Sequence, residues 1–350
     1  MVLNRRCFNP NPRVRRGEGR GTGQRPQIRV DGVALTLTQR PGMELDRAWA
    51  AGQGGGTMAP DSLLVVGVGD IHGRFHRVEA WLDALEEARR RPVDLVLAVG
   101  DVEAFRLADD HRRKAAKRGM PAEFAAYADG LCAMKRPLYF IGGNNEDFEA
   151  LHDEPEGFSL APNVHYLGRA GLKELLGLRV GYLSGIHAPR FYEQPLKRPR
   201  SLDTAKQAGY FRAPEVERVL ALRELDLLLV HEWPRGLPQR AQEREVPPPD
   251  RPLPSYWIGN PITRRVVETV HPRWVLCGHS HRAFAVSLGS HGGRAPTRVV
   301  CLDQTARPEE SIFWMELQGR EVQCAGWGTS GSVSWRAGQP WGLGSLPTLG

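Results

Sequence analysis

Nowhere in its 350 residues does the sequence hold an apolar run approaching the ~20 residues that a membrane-crossing helix needs, which excludes an integral helical membrane protein. The N-terminus lacks an apolar stretch behind its charges, so a secretory signal is not expected. Cysteine is scarce and scattered: Cys7, Cys132, Cys277, Cys301 and Cys324 form no CxxC pair. That argues against both a disulfide framework and a thiolate zinc site, and makes a reducing cytoplasm the expected location. Lysine is absent from residues 1–57, which carry ten arginines and four acids.

That absence matters because the chain's formal net charge is +7. Six of those charges belong to residues 1–57, leaving a nearly neutral body. The basic balance is therefore no evidence of a long nucleic-acid track on the body. The leader is rich in Gly and Arg and buries too little apolar surface to offset the entropy of ordering. Residues 1–58 are expected to be a disordered leader rather than a nucleic-acid arm, and Met58, directly before the first strand, is a candidate translation start. Residues 321–350, rich in Gly, Ser and Trp, read as a loosely packed tail on which Trp327, Trp335 and Trp341 could dock.

Between them, residues 59–320 alternate short β-rich runs with helical spacing, the pattern of one α/β domain. Leu63–Val68, Leu95–Val99, Pro137–Ile141, Arg179–Leu183, Leu227–Val230 and Trp274–Cys277 read as buried strands. Val78, Leu82 and Leu85 give Phe75–Arg90 a helical face. Asn260-Pro261 opens a second helix with a capping residue and an N1 proline. Three further runs, Ala283–Leu288, Arg298–Leu302 and Ile312–Leu317, resemble an antiparallel set. Arg190–Arg212 and Pro234–Trp257 read as surface loops.

The chemistry lies just beyond the strands. Gly69-Asp70-Ile71-His72-Gly73, Gly100-Asp101, Gly143-Asn144-Asn145-Glu146, His231-Glu232 and Gly278-His279-Ser280-His281 each follow an apolar run. Singly they are turn signals or half-buried histidines. Together they deliver Asp70, His72, Asp101, Asn144, His231, His279 and His281 to the carboxyl ends of strands, where α/β sheets gather ligands. Imidazole with carboxylate suits Mn, Fe, Zn or Ni, and seven donors exceed the needs of one tetrahedral ion but suit two divalent ions sharing a carboxylate. Such a pair, ~3.5–4 Å apart, can carry a bridging hydroxide and orient a phosphate for in-line displacement.

This ordered set resembles the five blocks of the calcineurin-like metallophosphoesterases. Within that superfamily the chain is most similar to RNA lariat debranching enzymes. The likeness rests on Gly100-Asp101-Val102-Glu103-Ala104-Phe105-Arg106, Phe140-Ile141-Gly142-Gly143-Asn144, Ala161-Pro162-Asn163-Val164-His165-Tyr166-Leu167-Gly168, Leu183-Ser184-Gly185-Ile186, His231-Glu232-Trp233-Pro234-Arg235-Gly236 and Val300-Cys301-Leu302-Asp303. It covers roughly residues 63–318. It implies an α/β fold, a four-layer α-β-β-α sandwich with two mixed sheets. It implies that Asp70, His72 and His281 hold one metal, that Asn144, His231 and His279 hold the second, and that Asp101 bridges. It also places a lariat-recognition segment at Phe105–Arg136, with Arg106, Arg112, Arg113, Lys114, Lys117 and Arg118 as candidate phosphate contacts, Arg106 foremost; a solvated, charge-rich helix reads about as well there.

Two departures follow from the same likeness. Debranching enzymes usually carry Cys where this chain has Asp70, and Asp restores the full two-metal set of the wider superfamily. The superfamily's GNH block carries a His that is thought to protonate the leaving oxygen, and here Asn145 holds its place. An amide has no proton to give near neutral pH, a loss worth ~10²–10⁴-fold in rate. His187, beyond the Ser184-Gly185-Ile186 turn, is the nearest candidate substitute. The expected function is hydrolysis of a phosphodiester, RNA or nucleotide, with no membrane and no inferable protein partner. The competing readings are a phosphomonoesterase and a metal-binding scaffold with little turnover.

Overall fold

The computed structural model describes residues 29–30, 33–34, 62–106, 123–198, 202–237, 259–289 and 295–339. Contacts divide the chain into Met1–Gly56 and Thr57–Gly350. In the first unit a short antiparallel pairing is described, β1 (Arg29–Val30) with β2 (Val33–Ala34). The rest of the leader expected to be disordered lies outside the described residues.

The second unit carries two mixed sheets. In the larger, β3 (Ser62–Val68), β4 (Leu95–Ala98), β5 (Leu138–Phe140) and β7 (Val164–Tyr166) run parallel. β6 (Phe158–Ala161) closes one side antiparallel, and β14 (Ile312–Gln318), β15 (Glu321–Trp327) and β16 (Trp335–Arg336) extend the other, giving the order β16-β15-β14-β3-β4-β5-β7-β6. In the smaller, β9 (Leu178–Leu183), β10 (Leu227–Glu232), β11 (Trp274–Gly278) and β13 (Thr297–Cys301) are parallel neighbours. They are flanked antiparallel by β8 (Ala170–Leu175) and β12 (Phe284–Leu288).

Strand period explains the layers. On β3, Leu63 and Val65 face one way and pack with Leu97, Val180, Leu229, Leu276 and Val300, joining the two sheets. Leu64, Val66 and Val68 face the other way, onto Phe75, Val78, Leu82 and Leu85 of α1 (Phe75–Arg89). Because both faces of β3 are covered, its sequence is a continuous apolar run rather than an alternation. Behind the smaller sheet, Val216 and Val219 of α5 (Ala213–Leu220) and Val266, Val267 and Val270 of α6 (Pro261–Val270) form a third core with Val230, Val275 and Val299. The order helix, sheet, sheet, helix is the four-layer sandwich.

Three expectations change. Residues 321–350 are not wholly a tail: β15 and β16 add two strands, and Trp327 and Trp335 are buried in the core between the sheets. Gly326 and the short β16 hid this pairing from a periodicity reading, and Trp341 lies outside the described residues. The supposed antiparallel set is also split. β13 pairs antiparallel with β12 but parallel with β11, while β14 crosses to the larger sheet and pairs with β3. Arg190–Arg212 is not all loop either, since α4 (Leu202–Ala208) lies within it. Most of Pro234–Trp257 lies outside the described residues. No helix among the described residues is long and apolar enough to cross a membrane.

Candidate metal centre

Both sheets direct the carboxyl ends of their parallel strands to one edge. Asp70 and His72 follow β3, Asp101 follows β4, Asn144 and Asn145 follow β5, His231 lies at the end of β10, and His279 and His281 follow β11. Asp70, His72 and His281 place one ligand atom each within 4.8 Å of one another, as do Asp70, Asp101 and His231. Five of the seven sequence-predicted donors therefore converge in these groups, and Asp70 stands in both.

Close approach needs small backbone. A β-carbon on Gly143 would collide with Asp101 Oδ1, and one on Gly278 with Asp70 Oδ1. Four of the seven candidate ligands adopt left-handed backbone: His72 (φ 48°), Asp101 (φ 46°), His279 (φ 68°) and His281 (φ 51°). Such conformations cost on the order of 1–3 kcal/mol each in non-glycine residues, and persist where the surrounding fold over-determines them.

Hydrogen bonds fix which nitrogens are available. His231 Nδ1 donates to the Val99 carbonyl at 2.7 Å, so its Nε2 lone pair faces Asn144 Oδ1 at 3.3 Å and Asp101 Oδ1 at 3.5 Å. His72 Nδ1 sits 2.8 Å from Glu103 Oε1, which turns Nε2 towards His281 Nε2 at 3.3 Å. Carboxylate and carbonyl partners of this kind orient metal-ligating histidines. His279 packs its ring 4.9 Å from that of His231, and its backbone N–H donates to Asp70 Oδ1 at 3.3 Å. Asp101 is held twice by Asn145, through the backbone N–H to Oδ1 and the amide Nδ2 to Oδ2, both 2.7 Å.

The electrostatics point the same way. Burial alone would raise Asp70, but the imidazoles of His231, His281 and His72 overcome it and hold the carboxyl at about 2. Its Oδ2 is fully buried, lies 3.3 Å from His281 Nε2, and is in hydrogen-bond geometry with no donor. Burial and the neighbouring His231 push His279 down to about 4, leaving a neutral imidazole. His72 is held above its ordinary value: burial opposes this, but the Glu103 hydrogen bond and the charges of Asp70 and Asp101 outweigh it. His281 is raised chiefly by its Asp70 partner. Glu146, buried behind the site, is pushed up to about 8 by burial and by Asp101, although it accepts N–H bonds from Gly143, Val102 and Glu103. Convergent acceptors, a buried carboxylate oxygen lacking a donor and an N/O donor set fit divalent metal.

The cleft over these groups has a volume of about 330 Å³ and is lined by His72, Arg74, Asp101, Asn144, Asn145, His279, His281 and Gln304. Neither His187 nor Arg106 lines it. Gly185 donates to Gly142 O and Ile186 to Gly209 O, and this turn carries the His187 ring onto Phe211 (5.8 Å, stacked) and Tyr192 (5.3 Å). Burial there lowers its proton affinity. Arg106 is exposed, with its guanidinium 5.9 Å from the Phe158 ring. Arg112, Arg113, Lys114, Lys117 and Arg118 lie outside the described residues. Sequence reasoning missed Glu103, Arg74 and Gln304. Glu103 carried a signal, an acid inside the apolar stretch Val102–Phe105, whereas Gln304 comes from a distant connection and carried none.

A two-sheet sandwich with Asp, His and Asn at its strand ends is the metallophosphoesterase arrangement. Residues 63–283 match the model of the calcineurin-like phosphoesterases, and the chain belongs to that family. Among curated proteins it is similar to lariat debranching enzymes. It is 29% identical to the Xenopus laevis lariat debranching enzyme A, across 71% of this chain and 49% of that one. It is 29% identical to the Homo sapiens enzyme, across 73% and 50%, and 30% identical to the Caenorhabditis elegans enzyme, across 71% and 54%. The chain thus spans about half the length of the curated relatives it matches.

Proposed function

We propose that this chain is a metal-dependent phosphodiesterase acting on an RNA or nucleotide diester. The observation that carries the reading is the convergence of Asp70, His72, His281, Asp101 and His231 from four strand ends of two sheets. Asp70, His72 and His281 would hold one divalent ion, Asn144, His231 and His279 a second, and Asp101 would join them. When bound, such a pair supplies positive charge to a phosphate and acidifies water towards a pKa of ~7. The chain's own residues do the rest. Val99 and Glu103 hold the Nδ1 atoms of His231 and His72 and so aim their Nε2 atoms into the site. Asn145 clamps Asp101. Arg74 places a permanent cation on the cleft wall, suited to a non-bridging phosphate oxygen.

Among the described residues, no side chain lining the cleft outside the candidate metal ligands offers a titratable proton to a leaving oxygen. Asn145 is an amide, and His187 is packed on Phe211. That favours diesters whose leaving group departs readily, and disfavours alkyl monoesters. The debranching enzymes among its relatives support a branched or linear RNA diester as the substrate class. Asn145, an amide where a proton donor is expected, favours a second reading, a metal-binding scaffold with little turnover.

One assay separates these. Purified protein with Mn²⁺ is given bis-p-nitrophenyl phosphate, p-nitrophenyl phosphate, and branched and linear RNA, beside an Asp101→Asn variant. Diester turnover that Asp101→Asn abolishes supports the proposal. A clear preference for the monoester would overturn it in favour of a phosphomonoesterase. Metal binding by calorimetry without turnover on any substrate would favour the scaffold.

A further inference from the structure

A second concavity, of about 470 Å³, opens on the connection between β9 and α5 and is lined by Phe191, Gln194, Lys197, Arg198, Gln207 and Arg212. None of these residues belongs to the metal centre. The connection is nevertheless anchored to it: Gly185 donates to the Gly142 carbonyl, two residues before Asn144, and His187 N–H donates to Glu232, which follows His231.

Its walls combine an aromatic face with cations. Phe191 lies nearly parallel to Tyr210, 5.4 Å apart at 12°. The guanidinium groups of Arg190 and Arg212 stand 5.5 and 5.7 Å from the Phe191 ring. Arg212 is 4% exposed. Its terminal nitrogens donate to the carbonyls of Tyr210 and Gln207, which fixes the group, while its buried Nε has no hydrogen-bond partner. Lys197 is exposed, and among the described residues Arg198 pairs with Asp153 at 2.7 Å, both exposed. Exposed pairs of that kind contribute ~0–1 kcal/mol, so a phosphate can displace Asp153. A flat ring with one buried, fixed guanidinium and two exposed surface cations, one in a displaceable pair, matches an unpaired base next to its phosphate, since single strands are held by stacking and charge together.

We infer that this pocket holds an unpaired nucleotide of the substrate strand, its base on Phe191 and its phosphate between Lys197, Arg198 and Arg212, away from the scissile bond. The inference rests on the phosphodiesterase reading for its substrate class but not for its test. It makes recognition of the strand separable from chemistry. Small diesters occupy the metal cleft alone, while a nucleic-acid strand engages both places.

The test is equilibrium binding, read by fluorescence anisotropy. The full chain with Mn²⁺ is titrated into a short labelled single strand with phosphorothioate links, and into the corresponding duplex. Phe191→Leu keeps apolar bulk but loses the stacking face; it should weaken single-strand binding about fivefold or more, with little effect on the duplex, whose bases are already stacked. Lys197→Ala/Arg198→Ala changes only exposed side chains. It should lower the slope of log affinity against log salt by up to ~0.7, the value for one neutralised phosphate on a single strand. Single-strand affinities within twofold of the wild type in both variants would overturn the pocket, as would a wild type with no single-strand preference over duplex. Turnover of bis-p-nitrophenyl phosphate by the wild type is scored separately. Its failure with binding intact sinks the phosphodiesterase reading, and intact turnover with no effect of the variants sinks the pocket.

Discussion

Asn145 sits where a proton donor is expected, and its amide and backbone N–H both hold Asp101 at 2.7 Å. Replacing it by His keeps the backbone bond and returns a titratable proton to the cleft. Asn145→His is expected to raise kcat on diesters with poor leaving groups by up to ~10²-fold while leaving aryl diesters nearly unchanged. Steady-state comparison of p-nitrophenyl and alkyl diesters reads this directly, and equal effects on both would place the proton elsewhere. Glu103 acts one step further out, through His72. Glu103→Gln retains an acceptor but removes the charge that orients His72, so Mn²⁺ affinity should fall by ~10-fold or more, measured by calorimetry, with the far-UV spectrum unchanged. At this scale much of the site was legible. The seven ligand candidates could be named because each is a polar residue at, or within four residues of, the carboxyl end of an apolar strand. Arg74 and Gln304 could not, since neither interrupts a pattern and only the folded cleft brings Gln304 beside His281.

Elements transmit the same constraints. Asn260 caps α6 by accepting from Ile262 N–H at 2.7 Å and Thr263 N–H at 3.2 Å, and its amide donates to Glu232, which in turn accepts from His187 N–H at 2.6 Å. One buried side chain therefore ends a helix and tethers the residue after His231. Asn260→Ala removes the cap, at about 1–2 kcal/mol, and deprives a buried carboxylate of a donor. The expected outcome is a Tm several degrees lower. Asn260→Asp should not rescue it, because it keeps the cap acceptor but sets a second carboxylate against Glu232. An Asn260→Asp protein as stable as the wild type would show that Glu232 is not held through this amide. The cap was readable in advance because Asn-Pro at a helix start has a local cause. The pairing of β13 with β11 and of β14 with β3 was not, because antiparallel and parallel partners leave the same apolar run in the chain and only long-range register separates them.

At the scale of the whole molecule, the site exists because two sheets meet along one edge, and the C-terminal strands help keep them together. Trp335 packs 5.9 Å from Trp274, Phe313 lies 5.1 Å from Trp327, and Arg298 covers the Trp335 ring at 4.6 Å. Trp274 and Phe313 come from different sheets, so the tryptophans of β15 and β16 help fill the core between the two sheets that carry the metal ligands. Burying an aromatic side chain contributes on the order of 2–3 kcal/mol, and two of them with their strand pairing represent a large part of a typical domain's net stability. A chain ending after Arg320 would expose this seam and leave β14 as a bare edge beside Trp314 and Phe313, a surface prone to pairing with other chains. It should aggregate or melt far below the full-length protein, whereas a chain ending after Gln339 should keep the full-length Tm and bind Mn²⁺ with unchanged affinity. Thermal melts and size-exclusion profiles of the two truncations, run side by side, discriminate a structural hairpin from a dispensable tail, and a stable monomeric protein ending at Arg320 would show that the sheets hold their edge, and the metal centre on it, without that seam.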